Sequence, residues 1–354
     1  MDARTYLKEY VAQSSPVIRE FLDTEIQEAE KISPVTADIV RRFKIFMDGG
    51  KRLRGAQIIL GYEMFGGRDQ QAILKASTVI EIIHAFLLMH DDIMDQDNLR
   101  RGAPTIHEQF AELHKKESAK RDGRHYGVSM AIDTGDIGMF LAGKLLASLP
   151  FSAEYLLRVD GFLHQLLLEV GYGQALDVTY ETYRKLTVDD VLRVHRYKCA
   201  DYTISGPLII GGLLAGKSLD ELQAFYQYGL PVGIAFQLRD DELGMFSSAK
   251  VLGKPADSDL REGKNTVLIL HALQKAKGKD REFLQWAHGN AHLKEADVER
   301  VRGILTDTGA LVYSQKLARK LVEEGKSHIP EITPEPYFQD LLRKMADFMI
   351  DRES

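Results

Sequence analysis

Two apolar helical stretches that each end in a cluster of aspartates constrain this chain more than any other feature. The first spans residues 84–95 and carries Asp91, Asp92 and Asp95; the second spans residues 236–244 and carries Asp240 and Asp241. On a helix, Asp91 and Asp95 lie four residues apart, so their carboxylates project from one face, one turn from each other.

Such carboxylates need a partner. Aspartate rarely lines an apolar helix surface unless a cation compensates its charge. Mg²⁺ is the natural candidate, because it takes carboxylate oxygens together with substrate phosphate oxygens and retains several waters. The two clusters therefore predict, if they face each other, a cage for Mg²⁺ and a diphosphate.

The rest of the chain is predicted to be helical. Strand-like alternation and hairpin dipeptides are nearly absent, and no repeat of 20–50 residues is visible. We expect one all-α domain over residues 1–354, with a break in the first helix near Pro16 and a solvated surface excursion at 111–127. Apolar residues at helical spacing predict further helices at 34–48, 55–65, 70–95, 128–149, 152–178, 187–196, 198–215, 219–243, 265–277, 296–326 and 336–350.

Composition narrows the function classes. The formal net charge of −6 over 354 residues argues against a nucleic-acid-binding surface. A single cysteine, Cys199, excludes an intramolecular disulfide and a cysteine-based zinc site, which fits a reducing compartment. The N-terminus has no signal pattern, and we find no run of about 18 apolar residues. We expect a soluble, cytoplasmic protein without membrane insertion.

Four motifs occur in order along the chain. They are Gly49-Gly-Lys-Arg-Leu-Arg54; His90-Asp-Asp-Ile-Met-Asp95 with Leu99-Arg-Arg-Gly-Ala-Pro-Thr105; Phe236-Gln-Leu-Arg-Asp-Asp-Glu-Leu-Gly244; and Gly253-Lys-Pro-Ala-Asp-Ser-Asp-Leu-Arg-Glu-Gly-Lys264. This ordered set resembles the trans-isoprenyl diphosphate synthases of the polyprenyl synthetase family, in particular archaeal-type short-chain members. The resemblance implies an isoprenoid synthase helical bundle with a central substrate cavity, and a homodimer. It also implies Mg²⁺-dependent head-to-tail condensation of isopentenyl diphosphate with allylic diphosphates.

The resemblance assigns the acidic residues to metal binding. Asp91, Asp95 and Asp240 would bind Mg²⁺, three ions per active site once diphosphate is bound. Asp92 and Asp241 would help through water or by supporting contacts. The implied reaction is ionisation of the allylic diphosphate, attack by the isopentenyl double bond, and loss of a proton to the released diphosphate.

A second implied set contacts the allylic substrate. Basic contacts to its diphosphate would come from Arg100, Lys198, Lys254 and Lys264. Gln237 would lie beside the reacting centre, where an amide dipole can face a developing cation. Basic residues near acids also form ordinary ion pairs, and that alternative stays open for Lys198. The family commonly has threonine at the position of Cys199, so a weaker donor there could loosen the leaving-group contacts.

Isopentenyl diphosphate would be held by cations rather than metal, and the matching residues are Lys51, Arg54, His84 and Arg101. His84 lies seven residues before Asp91, hence two turns away on nearly the same face. A histidine on an apolar helix is more often structural, but this spacing favours a ligand. His90 and His107 receive no assignment.

Product length would be set just before the first acidic cluster. Phe86 lies five positions before Asp91, about 7–8 Å along a helix; Leu87 and Ile83 lie on the same stretch. One aromatic residue at that position resembles geranylgeranyl diphosphate synthases. We predict a C20 product, with a C15 or bifunctional C15/C20 synthase as the alternative. The alternative is that Phe86 is a core aromatic residue, and the two roles are compatible.

Two other classes use acid-rich helices. A terpene cyclase or head-to-head synthase would not need the set Lys51, Arg54, His84 and Arg101, which is intact here. A non-catalytic synthase subunit would be expected to lose carboxylates, and both clusters are kept. The Asp133-Thr-Gly-Asp136 segment departs from the family pattern by an additional acidic residue, but this change removes no motif residue.

Overall fold

The computed structural model describes residues 1–117, 122–183, 185–247 and 257–352. As predicted, this part of the chain is all-α. The helices are α1 (Ala3–Glu30), α2 (Pro34–Phe46), α3 (Leu53–Met64), α4 (Gln70–Met94), α5 (Ile106–Glu117), α6 (Gly123–Ala147), α7 (Ala153–Tyr180), α8 (Val188–Val194), α9 (Gly206–Leu214), α10 (Ala224–Phe246), α11 (Ser258–Glu262), α12 (Val267–Lys275), α13 (Gly278–Ala287), α14 (Glu295–Asp307), α15 (Ala310–Ser327), α16 (Ile329–Ile332) and α17 (Pro336–Asp351). A π-helix covers His195–Ser205, a 3₁₀ turn covers Asp220–Leu222, and strands β1 (Leu99–Arg100) and β2 (Ala103–Pro104) pair antiparallel.

The chain forms two compact units. Unit 1 contains residues 1–162 and 207–218, and unit 2 contains residues 163–206 and 219–354. The first acidic stretch belongs to unit 1 and the second to unit 2. The assignment of the whole chain to one domain stays a prediction.

Helix α4 is the core element of unit 1. Its N-terminus is capped by Asp69, whose carboxylate accepts a hydrogen bond of 2.9 Å from the Ala72 N–H. By length and composition α4 is the one helix of the described residues that could cross a membrane, which the sequence reading did not single out. However, 72% of its most apolar 18-residue window is buried inside the protein, so length and composition alone do not make it a membrane span.

Glycines let α6 approach α4 closely. A Cβ at Gly138 would lie 2.3 Å from the Phe43 ring and 3.1 Å from the Phe86 Cβ, and one at Gly135 would lie 2.3 Å from His90 Nε2. Because real Cβ atoms do not come that close, glycine is required at this crossing. The packing fixes the part of α4 that precedes its aspartates.

Helix α10 is the corresponding element of unit 2. It packs on the π-helix, on α15 and on α17. A Cβ at Gly233 would lie 2.6 Å from the Ala200 Cα of the π-helix. On another side, Tyr228 Oη donates a hydrogen bond of 2.9 Å to the Leu342 carbonyl of α17. Helix α10, which carries the second acidic stretch, is therefore held from several directions.

Two local predictions were wrong. Helix α1 continues through Pro16 because its buried face is continuous on both sides, from Leu7 and Tyr10 to Ile18 and Leu22. The predicted helix 296–326 is two helices, since Gly309 adopts a φ of +75° between them. The strands β1 and β2 form a short hairpin, although hairpin dipeptides are nearly absent from the sequence.

The predicted surface excursion at 111–127 is also largely helical. Helix α5 extends to Glu117 and α6 begins at Gly123, whereas residues 118–121 lie outside the described part of the chain. The charged side chains that suggested a loop point outward: Lys115 and Lys116 are about 70% exposed. Phe110, on the opposite face of α5, is fully buried.

Candidate active site

The first acidic stretch forms the C-terminal end of α4. Asp91 and Asp92 lie in its last turn, and Asp95 caps it, with its N–H donating a hydrogen bond of 2.8 Å to the Asp91 carbonyl. Asp92 and Asp95 are buried and Asp91 is partly exposed. Acidic groups at this end of a helix face the negative pole of the helix dipole, which disfavours them. A cluster retained there calls for a positive partner.

Arg100 is one such partner, and the hairpin β1–β2 delivers it. The hairpin turns at Arg101 and Gly102, whose φ angles are 54° and 78°. Arg100 Nε contacts Asp92 Oδ1, and its Nη2 lies 3.7 Å from Asp91 Oδ2. Its Nη2 is also 3.6 Å from an oxygen of Asp97, a buried acid that our motif assignment did not use.

Burial and the charge of the partner shift the pKa of both Asp92 and Arg100. Burial raises the pKa of Asp92 to about 7, although the charge of Arg100 opposes that shift. Burial alone would lower the pKa of Arg100, but Asp92 and Asp91 outweigh it and the pKa is raised. Arg100 therefore stays charged.

The basic residues predicted for isopentenyl diphosphate lie around the glycine pair that precedes α3. Gly49 and Gly50 adopt φ angles of 94° and 85°, and a Cβ at Gly50 would lie 2.9 Å from Arg101 Nη2. Arg101 Nη1 donates to the carbonyls of Phe46 (3.3 Å) and Asp48 (3.4 Å). The side chain of Arg101 thus lies over this glycine loop, which also carries Lys51.

His84 lies beside the same basic groups. Burial, followed by the charges of Arg54 and Arg101, lowers the pKa of His84 well below its ordinary value. The imidazole is therefore neutral and can donate one hydrogen bond. The charges of Arg54 and Arg101 thus act on His84, whereas the role of the three residues in binding isopentenyl diphosphate stays a prediction.

Glu81 is a residue of this cluster that the sequence analysis missed. It is buried, and its Oε1 accepts a hydrogen bond of 2.7 Å from the Gly55 N–H. Burial raises the pKa of Glu81, whereas the Gly55 N–H and the charges of Arg54 and Arg52 lower it. The signal was available, because Glu81 lies one turn before His84 on the same helix face.

The second acidic stretch lies near the end of α10. Asp241 is buried; its Oδ1 accepts a hydrogen bond of 3.0 Å from Gln237 Nε2, and its Oδ2 lies 3.3 Å from His195 Nε2 of the π-helix. Asp240 Oδ1 lies 2.5 Å from Nη2 of Arg352, near the C-terminus. Neither His195 nor Arg352 was singled out from the sequence.

The lysines predicted for the allylic diphosphate have acidic neighbours. Lys198 Nζ lies 2.6 Å from Asp177 Oδ2, which is the ion pair that the sequence analysis left open as an alternative. Lys264 Nζ lies 3.3 Å from Glu262 Oε2. Lys254 lies outside the described residues. Next to Lys198, Cys199 Sγ is 3.6 Å from Thr203 Oγ1.

The acidic groups fit a hard divalent cation. Asp92 Oδ2 is buried without a hydrogen-bond partner, and so is Asp241 Oδ2 despite the nearby imidazole. Within the described residues, no three His, Cys, Asp or Glu side chains already converge as a metal cluster. Separate carboxylates of this kind are compatible with Mg²⁺, which commonly binds one or two protein carboxylates and completes its coordination shell with phosphate oxygens and water.

The predicted chain-length residues lie on α4. Ile83 and Phe86 are buried, and Leu87 is half-buried. Phe86 lies at the close crossing with Gly138, and its ring centroid is 6.1 Å from that of His90. Phe86 is thus a core aromatic residue, and its role in product length stays a prediction.

The chain is similar to known proteins in both sequence and fold. The polyprenyl synthetase family model matches residues 40–305. Among the relatives, a geranylgeranyl diphosphate synthase of Methanosarcina mazei is 34% identical, covering 92% of this chain and 93% of the relative. A geranylfarnesyl diphosphate synthase of Aeropyrum pernix is 34% identical, covering 86% and 91%. A crystal structure of geranylgeranyl pyrophosphate synthase from Corynebacterium glutamicum, complexed with isoprenyl diphosphate and magnesium, has a TM-score of 0.92 and 32% identity, covering 99% of this chain and 100% of that one. This chain belongs to the polyprenyl synthetase family.

Proposed function

We propose that this protein is a short-chain prenyltransferase that condenses isopentenyl diphosphate with allylic diphosphates. One observation carries the proposal: an acidic helix end and a cluster of Arg54, His84 and Arg101 occur together in unit 1. A terpene cyclase has no need for that basic cluster. A non-catalytic subunit would have no need for the complete carboxylate sets.

The basic cluster supplies the site for isopentenyl diphosphate. Lys51, Arg54 and Arg101 provide fixed charge for two phosphates. The neutral imidazole of His84 adds a directional hydrogen bond. Glu81 limits the repulsion among the arginines and anchors the first turn of α3 through Gly55.

The carboxylates supply the site for the allylic substrate. Bound by Asp91, Asp95 and Asp240, with three ions per site, Mg²⁺ would neutralise the diphosphate and make it a better leaving group. Arg100, Lys198, Lys254 and Lys264 add positive charge around that leaving group. Asp92 and Asp241 orient Arg100 and Gln237.

The protein's own contribution to the reaction is orientation and protection. It aligns the isopentenyl double bond with the allylic carbon and excludes water from the cationic centre. The amide of Gln237 can face developing positive charge without acting as a nucleophile. No motif side chain is an obvious general base; in the reaction that the family resemblance implies, the released diphosphate takes the proton.

We further propose geranylgeranyl diphosphate (C20) as the main product, with Phe86, Leu87 and Ile83 limiting chain growth. Relatives named for geranylgeranyl and geranylfarnesyl products occur at equal identity. Phe86 supports the C20 choice, because it is a bulky, buried group about one and a half turns before Asp91. A homodimer is expected from the family and a cytoplasmic location from the single cysteine; sedimentation of the purified protein tests the dimer.

Product analysis tests the chain-length proposal. Purified protein with Mg²⁺ and isopentenyl diphosphate is supplied separately with the C5, C10 and C15 allylic primers. A C20 main product from all three is expected. A stop at C15, or growth to C25, overturns the role of Phe86, and diphosphate loss without condensation favours a cyclase.

A further inference from the structure

The last described residue of the chain, Arg352, lies against the second acidic stretch. Arg352 follows α17 directly and is only 6% exposed. Its Nη2 lies 2.5 Å from Asp240 Oδ1 and donates a hydrogen bond of 3.1 Å to the Phe236 carbonyl. The guanidinium carbon is 3.9 Å from the centroid of the Phe236 ring. An arginine is rarely this buried unless paired, so its position is specified by these contacts.

Motif residues with no assigned role hold Arg352 in place. Arg239 donates to the Arg352 carbonyl from Nε (3.2 Å) and Nη2 (3.0 Å). Arg239 Nη1 in turn donates a hydrogen bond of 3.1 Å to Oε2 of the buried Glu242. The motif residues Arg239 and Glu242 thus help to hold Arg352, which contacts Asp240.

We propose that Arg352 is a positioning residue for the metal site, acting through Asp240. It pairs with one carboxylate oxygen and so fixes the orientation in which Asp240 meets a cation. Carboxylates that bind metals are generally held by such neighbouring hydrogen bonds, whose removal costs about 10–100-fold in metal affinity or activity. The inference rests on the proposed role of Asp240 as a metal ligand.

The test measures metal binding directly. Mn²⁺ is titrated in the presence of inorganic diphosphate, and free Mn²⁺ is followed by electron paramagnetic resonance. Arg352→Gln should weaken Mn²⁺ binding about tenfold. Arg352→Lys, which keeps the charge but loses the planar fork, should give an intermediate affinity. Arg343→Gln is the matched control, because Arg343 is exposed on α17, the helix that precedes Arg352, and bonds only to Gln339 in the described contacts.

Kinetics separate positioning from general damage. Arg352→Gln should raise the Mg²⁺ concentration for half-maximal turnover about tenfold and leave the KM for isopentenyl diphosphate unchanged. A uniform loss of kcat with an unchanged Mg²⁺ requirement contradicts the proposal. If Arg352→Gln fails to fold, Arg352→Lys decides: wild-type Mn²⁺ affinity in that variant overturns the inference.

Asp240→Asn separates this inference from the proposed function. If Asp240→Asn binds Mn²⁺ as the wild type does, the metal-ligand assignment of Asp240 fails. If Asp240→Asn loses affinity while Arg352→Gln keeps it, the positioning role alone fails. Tighter binding by Arg352→Gln would make Arg352 a competitor of the metal, which also overturns the proposal.

Discussion

Arg100 Nε contacts Asp92 Oδ1, so an arginine of the β-hairpin is paired with a buried aspartate at the end of α4. This pair ties the loop after the helix to the acidic stretch within it. The next residue, Arg101, points to the glycine loop before α3 instead. Two consecutive arginines therefore serve two different substrate diphosphates in the proposed reaction.

Loss of a carboxylate from the proposed metal site should strongly lower turnover without unfolding the protein. We expect Asp91→Asn and Asp240→Asn each to lower kcat about 100-fold or more, because charge on the leaving diphosphate is no longer neutralised. Steady-state kinetics and circular dichroism check this. Asp280→Asn, in an exposed pair with Arg300, is the control. Near-wild-type activity in either motif variant contradicts the metal assignment.

Loss of Arg101 should act on one substrate only. Arg101→Gln is expected to raise the KM for isopentenyl diphosphate about tenfold or more, because a charge-assisted phosphate contact is lost. The KM for the allylic primer should change little. Arg19→Gln is the control, since Arg19 makes an exposed ion pair with the side chain of Asp48 in the same loop. An equal rise in both KM values would disprove the assignment.

Truncation of Phe86 should have two separable effects. Phe86→Ala removes a buried ring at the crossing with Gly138 and should cost about 3–5 kcal/mol of stability. It should also shift the main product to a longer chain. Phe110→Ala, which empties a buried position on α5, should lose stability without changing the product. Thermal melting and product chromatography measure the two effects, and an unchanged product spectrum for Phe86→Ala excludes the chain-length role.

Asp201, on the π-helix, should make stability depend on pH. Burial raises its pKa to about 6 from an ordinary value of 3.8. Its stabilising effect is therefore complete below about pH 3.8 and is lost as the pH rises through about 6. The full change amounts to about 3 kcal/mol at most.

Comparison of Asp201→Asn with the wild type isolates this effect. The melting temperature of the wild type should fall relative to that of Asp201→Asn between pH 4 and pH 7. Other carboxylates titrate in both proteins, so they cancel in the difference. Parallel curves for the two proteins would show that Asp201 does not titrate in this range.

The sequence predicted the helical fold and the acidic ends of α4 and α10 because both depend on local spacing. Spacing of four residues is enough to place Asp91 and Asp95 one turn apart. The continuity of α1 through Pro16 was not predictable in this way, since it depends on what Leu7 and Ile18 pack against. The many charged residues around residue 115 were taken to indicate a loop. In the structure these lysines lie on the exposed face of α5, opposite its buried face.

Contacts between residues far apart in the sequence could not be predicted either. Arg352 lies more than a hundred residues from Asp240, and no local pattern links them. His195 reaches Asp241 only because the π-helix packs against α10. Glu81 could have been predicted, because its spacing places it on the same helix face as His84. It was missed because it belongs to none of the four motifs.

The most direct measurement is condensation itself with one defined primer. Purified protein, Mg²⁺, labelled isopentenyl diphosphate and the C15 allylic diphosphate are incubated, and the lipid product is identified by mass after removal of phosphate. We expect a C20 alcohol that disappears with a chelator and in Asp240→Asn. Lack of labelled product in the wild type, or unchanged product with the chelator, would contradict this prediction.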